Sequence, residues 1–313
     1  MKEATRIQIE NMKKTTVGIE IEMNNITREK AARTAAEFFG TGRYADTAAQ
    51  NGYCSWSAWD AEGREWKFQR DVSIAGPDSQ KCELVSPIMH YDQDIELLQE
   101  LIRALRRAGA KSSADRGCGV HVHLGSDGHT PQTIRNLVNL MAAHEDSLSK
   151  AIRIDRWRQE RYCGTVDPRF LERLNKQKPK TMEALERCWY NGTPDHSHYS
   201  RTRYRMCNLH SLFTRWHTIE MRCFQYDGEG GGRKGGLHAG QTKAFLQLSL
   251  ALNELAKEVR YASPKKGQRD NEAYSFRCFM LRLGMIGPEF KTARDYYMRN
   301  FEGSSAWRNG RPA

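Results

Sequence analysis

The stretch Thr16-Val17-Gly18-Ile19-Glu20-Ile21-Glu22-Met23 alternates apolar with small or acidic residues at a period of two. A strand there places Val17, Ile19 and Ile21 on one face and Gly18, Glu20 and Glu22 on the other. Two carboxylates then share one side of a sheet, about 7 Å apart along the strand. Anions at that spacing repel, and a fold tolerates them where they face water or share cations. Taken alone, the stretch is equally well a strand with a solvated face. The same pattern recurs further along the chain with matching polar chemistry, and that repetition argues for a site.

Working outward, residues 27–39 have helical composition and stop at Gly40, a natural C-terminal cap. Residues 40–52 read as a polar loop. Residues 53–73 read as a hairpin turning at Asp60-Ala61-Glu62-Gly63, with Lys67, Gln69, Asp71 and Ser73 on one face of its second strand. Trp56, Trp59 and Trp66 are read as packing residues of that hairpin. Lys81-Cys82-Glu83-Leu84-Val85-Ser86-Pro87 is a further strand, ended by proline. Asp92 is expected to cap an amphipathic helix with the stripe Ile95, Leu98, Ile102 and Leu105, stopping at Gly109.

In Arg116-Gly117-Cys118-Gly119-Val120-His121-Val122-His123-Leu124-Gly125, alternation sends His121 and His123 to one face and Val120, Val122 and Leu124 to the other. Thr130 and Pro131 open another helix. Residues 152–199 are rich in Arg, Lys and aromatic side chains with little strand signal, and read as a basic, mostly helical excursion. Strand composition returns at residues 203–212 and in Thr218–Phe224, where Glu220 and Arg222 share a face. The loop holding Gly228, Gly230, Gly231, Gly232, Gly235 and Gly236 lacks the Gly-Lys-Ser/Thr of a phosphate loop and reads as flexible or lid-forming. Residues 242–259 are helical, and 260–313 are a helical elaboration ending in a flexible tail.

A chain of 313 residues with 39% hydrophobic and 28% charged residues is ordinary for a folded protein, which excludes wholesale disorder. No apolar run reaches membrane-spanning length, and residues 1–14 are too polar for a signal peptide, so the expectation is a cytoplasmic protein with no membrane partner. Eight scattered cysteines lack the paired spacing of zinc or redox motifs. A net charge of +11 implies an anionic partner: a nucleotide, an acidic metabolite or a nucleic acid.

The expected fold is α+β, a mainly antiparallel sheet with helices on one face and a cleft on the other. A tail (1–14), a catalytic domain (15–260) and a C-terminal extension (261–313) are expected. Glu20, Glu22, Asp71, Glu83 and Glu220 with His121 form an oxygen-rich, one-nitrogen ligand set that suits Mg²⁺ or Mn²⁺ better than zinc. An alternating His121 and His123 pair in a glycine-rich frame favours ligation over a structural role. Arg203, Arg205 and Arg222 suit phosphate, because planar guanidiniums bind oxyanions bidentately and stay charged.

The ordered series Gly18-Ile19-Glu20-Ile21-Glu22, Asp71-Val72-Ser73, Glu83-Leu84-Val85-Ser86-Pro87-Ile88, Gly119-Val120-His121-Val122-His123 and Ile219-Glu220-Met221-Arg222 resembles the family known as "putative amidoligase". That family sits in the carboxylate-amine ligase superfamily with glutamine synthetase and glutamate-cysteine ligase. The resemblance spans about residues 16–259 and implies a glutamine synthetase-like catalytic fold, ATP, divalent metal, a carboxylate substrate and an amine substrate. It implies that Glu22 and Glu83, with Asp71, hold one ion near the carboxylate, and that Glu20, His121 and Glu220 hold another against the ATP phosphates. Arg222, with Arg203 or Arg205, would meet the transferring phosphoryl group, and His121 and His123 would flank the nucleotide. Asp71 departs from the glutamate that glutamine synthetase carries there. No residue is assigned to deprotonate the amine.

Two other functions fit parts of the pattern. A metal-dependent hydrolase could use His121, His123 and the carboxylates to activate water. A nucleic-acid-binding protein with an inert site is suggested by the Lys and Arg concentrated between residues 153 and 180.

Overall fold

The structure, a computed structural model, describes residues 3–228, 236–267 and 270–309. The chain begins with α1 (Glu3–Lys14), β1 (Thr16–Met23), α2 (Arg28–Phe38), β2 (Tyr44–Asp46), α3 (Ala48–Asn51), β3 (Trp56–Trp59) and β4 (Glu65–Gln69). It continues through β5 (Cys82–Val85), β6 (Met89–His90), α4 (Tyr91–Arg107), β7 (Val120–Gly125) and α5 (Pro131–Ile152). Then come α6 (Arg156–Arg161), α7 (Pro168–Gln177), α8 (Met182–Trp189), β8 (Cys207–Asn208), β9 (Thr218–Phe224), α9 (Ala239–Glu258), α10 (Glu272–Arg282) and α11 (Lys291–Met298). The fold is mixed α and β, and its β1–β5, β1–β6, β2–β3, β3–β4, β4–β5 and β8–β9 pairs are antiparallel. Among the described residues, no helix is long and apolar enough to cross a membrane.

Two compact units divide the chain. One comprises Thr16–Val122 and Phe224–Lys243. Within it the strands run in the order β2-β3-β4-β5-β1-β7, with β6 pairing β1 off this path. Register sorts the side chains into rows across the sheet, because residues directly opposite one another share a face. Ile21, Leu84, Phe68 and Trp56 fall in one row, and Glu22, Glu83 and Gln69 in the adjacent one. Ile21, Leu84, Phe68 and Trp66 are fully buried. Helix α2, capped by the Thr27 hydroxyl accepting from Lys30 N, buries Ala31, Ala32, Ala35 and Ala36 and packs against β3, β4 and α4. Small side chains let that helix lie close to the sheet, and α4 adds Leu98, Leu101, Ile102 and Leu105 to the core.

The other unit comprises Met1–Thr15, His123–Cys223 and Ala244–Ala313. Its long helix α5 starts at a capping box in which Thr130 and Thr133 each accept from the other's backbone, with Pro131 in the first turn. The basic excursion forms α6, α7 and α8, and Asp167 is the N-cap of α7. Helices α10 and α11 supply the C-terminal elaboration.

Several expectations are corrected. Residues 3–14 are not a tail but a helix that buries Met12 and Gln8. Residues 40–52 hold β2 and α3, where the Asp46 carboxylate accepts from Ala48 N and starts the short helix. Helix α4 begins at Tyr91 rather than after Asp92; its N-cap is His90, whose N–H donates to the Asp94 carboxylate at 2.9 Å. Of residues 203–212, Cys207–Asn208 alone forms a strand, flanked by 3₁₀ turns at Arg201–Arg203 and Ser211–Phe213. Four glycines of the expected lid, Gly230, Gly231, Gly232 and Gly235, and the expected tail at 310–313 lie outside the described residues.

Candidate active site

Alternation along β1 buries Val17, Ile19 and Ile21 and turns Glu20 and Glu22 to the other face, as the pattern predicts. The antiparallel register then sets Glu22 directly opposite Glu83 of β5 and, one strand further, Gln69 of β4 opposite Glu83. Like charges opposite one another destabilise a sheet. Both carboxylates are nonetheless buried, Glu22 6% and Glu83 5% exposed. Gln69 Nε2 donates to Glu83 Oε2 at 2.8 Å, and the Gly119 backbone N–H donates to Glu22 Oε2 at 2.6 Å. These donors orient the oxygens without neutralising them.

His121 arrives from β7 beside both β1 acids. Its Nδ1 is 3.0 Å from Glu20 Oε2, and its Nε2 is 3.7 Å from Glu22 Oε1. One donor atom from each of Glu20, Glu83 and His121 lies within 4.8 Å of the others, and the same holds for Glu22, Asp71 and Glu83. Asp71 reaches the group from an unexpected place. Strand β4 ends at Gln69, so Asp71 and Ser73 do not continue its face. Asp71 instead closes a turn, its Oδ1 accepting from the Ser73 N–H and hydroxyl, both at 2.6 Å.

Among the described residues, Glu22, Asp71 and Glu83 make no ion pair with a lysine or arginine. Burial, then repulsion from Glu20, Asp71 and Glu22, pushes the Glu83 carboxyl well above the usual carboxylate range. Buried acids in such a group hold excess negative charge that a divalent cation relieves, and the oxygen-rich donor set fits a hard ion. The residues present therefore fit Mg²⁺ or Mn²⁺.

The second unit carries the remaining predicted residues. Glu220, 3% exposed on β9, receives the Asn208 Nδ2 hydrogen bond at 2.6 Å and pairs with the Arg222 guanidinium. Asn208 is itself fixed, because its Oδ1 accepts from His210 N at 2.7 Å and leaves the amide nitrogen facing Glu220. Arg222 Nε reaches the Tyr162 carbonyl at 3.5 Å. Arg205 does not join it: its Nη2 pairs with Asp167 at 3.0 Å and its Nη1 donates to the Thr165 carbonyl. Arg203 donates to the His198 carbonyl at 2.6 Å. His123 Nδ1 is 3.2 Å from the Thr218 hydroxyl. Gln69, which the sequence reading placed on the polar face without a role, Asn208 and the Gly119 amide are the orienting groups. Neutral amides carry no charge signal, and cross-strand register alone brings Gln69 and Asn208 to their acids.

A family model described as "Putative amidoligase enzyme" matches residues 13–253. No curated protein matches the chain. Among solved structures, a bifunctional glutathione synthetase from Pasteurella multocida is similar with a TM-score of 0.47 and 9% identity. The similarity covers 95% of this chain and 49% of that one, so the chain spans about half of that protein's length. With most of its length, including every acidic ligand candidate and both His121 and His123, inside the family match, the chain belongs to this family.

Proposed function

We propose that the chain is an ATP-dependent carboxylate-amine ligase of the glutamine synthetase and glutamate-cysteine ligase type, forming an amide or isopeptide bond through an acyl phosphate. The observation that carries this reading is the group formed by buried Glu22 and Glu83 with half-buried Asp71, which shares Glu83 with a second group containing Glu20 and His121. Overlapping acidic groups of this kind suit paired divalent ions, and such ions serve phosphoryl transfer.

A carboxylate does not yield to an amine directly, because oxide is a poor leaving group. The substrate carboxylate oxygen therefore attacks the terminal phosphorus of ATP and ADP departs. The amine then attacks the acyl carbon, phosphate leaves, and the ammonium proton is lost. When bound, Mg²⁺ or Mn²⁺ supplies charge neutralisation and polarises the phosphoryl group. Glu22, Asp71 and Glu83 are the residues to hold one ion and Glu20 and His121 another, with Gln69 and the Gly119 amide keeping the carboxylates oriented. Glu220 as a further ligand, His123 beside the nucleotide, and Arg222 with Arg203 or Arg205 at the phosphoryl group are assigned on family grounds.

The test is nucleotide turnover. ADP and phosphate should appear only when ATP, a carboxylate and an amine are all supplied. Cleavage of an amide without ATP would make the protein a metal-dependent hydrolase and overturn the proposal. An acidic or nucleic-acid partner for residues 152–199 is a second reading. It is favoured by the exposed Trp157, whose ring carries the Arg161 guanidinium at 4.8 Å.

A further inference from the structure

A cavity of about 440 Å³ opens within the unit that holds α5 and α10. That volume lies in the range of small-molecule sites. Its apolar side includes Leu140 of α5, and its polar rim includes Lys265, Arg282 and Arg308. All three cations are exposed, and among the described residues none makes an ion pair with a carboxylate. Neighbouring lysines differ: Lys266 is paired with Glu145 and Asp146, and Lys150 with Glu272. Among the described residues the rim therefore carries positive charge without a paired carboxylate, around a concavity that no described carboxylate lines. His144 also lines the cavity, and its ring is held by stacking on Phe279 at 3.6 Å between centroids and 11° between planes.

We propose that this cavity binds a phosphorylated small molecule with a planar body, of the nucleoside monophosphate class. The guanidiniums of Arg282 and Arg308 and the Lys265 ammonium take the phosphate, because planar forks and a mobile ammonium match its oxygens. The His144 ring and the Leu140 side chain take the flat body. None of these residues belongs to the acidic groups of the candidate active site.

Cys278 provides a local readout. It lines the cavity and is half-buried, whereas of the other seven cysteines Cys54 is exposed and the rest are buried. Alkylation of the full chain by iodoacetamide is followed peptide by peptide by mass spectrometry, in EDTA so that metal-dependent nucleotide binding is silent. AMP at about ten times its Kd should slow alkylation of Cys278 roughly tenfold, the occupancy expected from mass action, and leave Cys54 unchanged. Adenosine, which lacks phosphate, should not protect. Arg282→Glu combined with Lys265→Glu, at two exposed positions, should abolish protection while the melting temperature is retained. Equal labelling with and without AMP, equal protection by adenosine, or protection that survives the charge reversal would each overturn the proposal.

Discussion

Glu83→Gln is expected to do two opposite things, and the pair of effects is diagnostic of a cation site. Without metal, Glu83 lies with Glu22 and Asp71 so that their oxygens come within 4.8 Å of one another. Two unit charges at that distance and an effective dielectric of about 20 repel by about 3 kcal/mol. The Glu83 carboxyl titrates above its ordinary value of 4.5 in the folded chain, so its cost is absent in acid and grows as pH rises. At pH 8 the metal-free variant should therefore melt higher than the parent, by roughly 5 °C for about 2 kcal/mol regained in a chain of this size. Gln69 keeps a partner, since the new amide oxygen can accept its hydrogen bond. With Mg²⁺ or Mn²⁺ at about 100 times Kd, the parent should gain about 2.7 kcal/mol and the variant nearly nothing. Differential scanning fluorimetry at pH 5 and pH 8, with and without metal, measures all of these. A variant that melts lower without metal and still shows the full metal-induced rise would refute the reasoning.

Glu20→Gln, His121→Ala and Glu220→Gln should each abolish ligase turnover while leaving the circular dichroism melt near the parent's, and activity surviving in any two of them would sink the residue assignment. Asn208→Ala, which strips the 2.6 Å donor from Glu220, should lower turnover about 10- to 100-fold, read as phosphate release under saturating substrates. Burial holds the His129 imidazole down at about 4 despite its hydrogen bond to Asn253. Its contribution is therefore complete above pH 6.5 and is lost as pH falls from there to about 4, up to about 3 kcal/mol, and urea melts of His129→Gln should show a flatter pH dependence over that window. Binding of single-stranded RNA or DNA through residues 152–199 should weaken steeply with salt, and no shift in fluorescence anisotropy at low salt would remove that partner.

What the sequence by itself determined is which side of β1 and of β7 faces the core. Period-two alternation in Thr16–Met23 and Val120–Gly125 separated the acids and histidines from the valines and isoleucines, and Thr27, Thr130 and Pro131 marked helix starts through chemistry confined to one turn. Those signals are local, so they survive without a partner. Tertiary structure alone decided which acid meets which: Glu22 lies opposite Glu83 because strands 60 residues apart pair in one register, and a slip of one residue would turn Glu83 to the other face. It also decided that Asp71 reaches the group from a turn rather than from a strand, and that Gln69, Asn208 and the Gly119 amide hold the carboxylates. Neutral donors leave no charge pattern along a chain, and their partners are chosen by packing between distant segments.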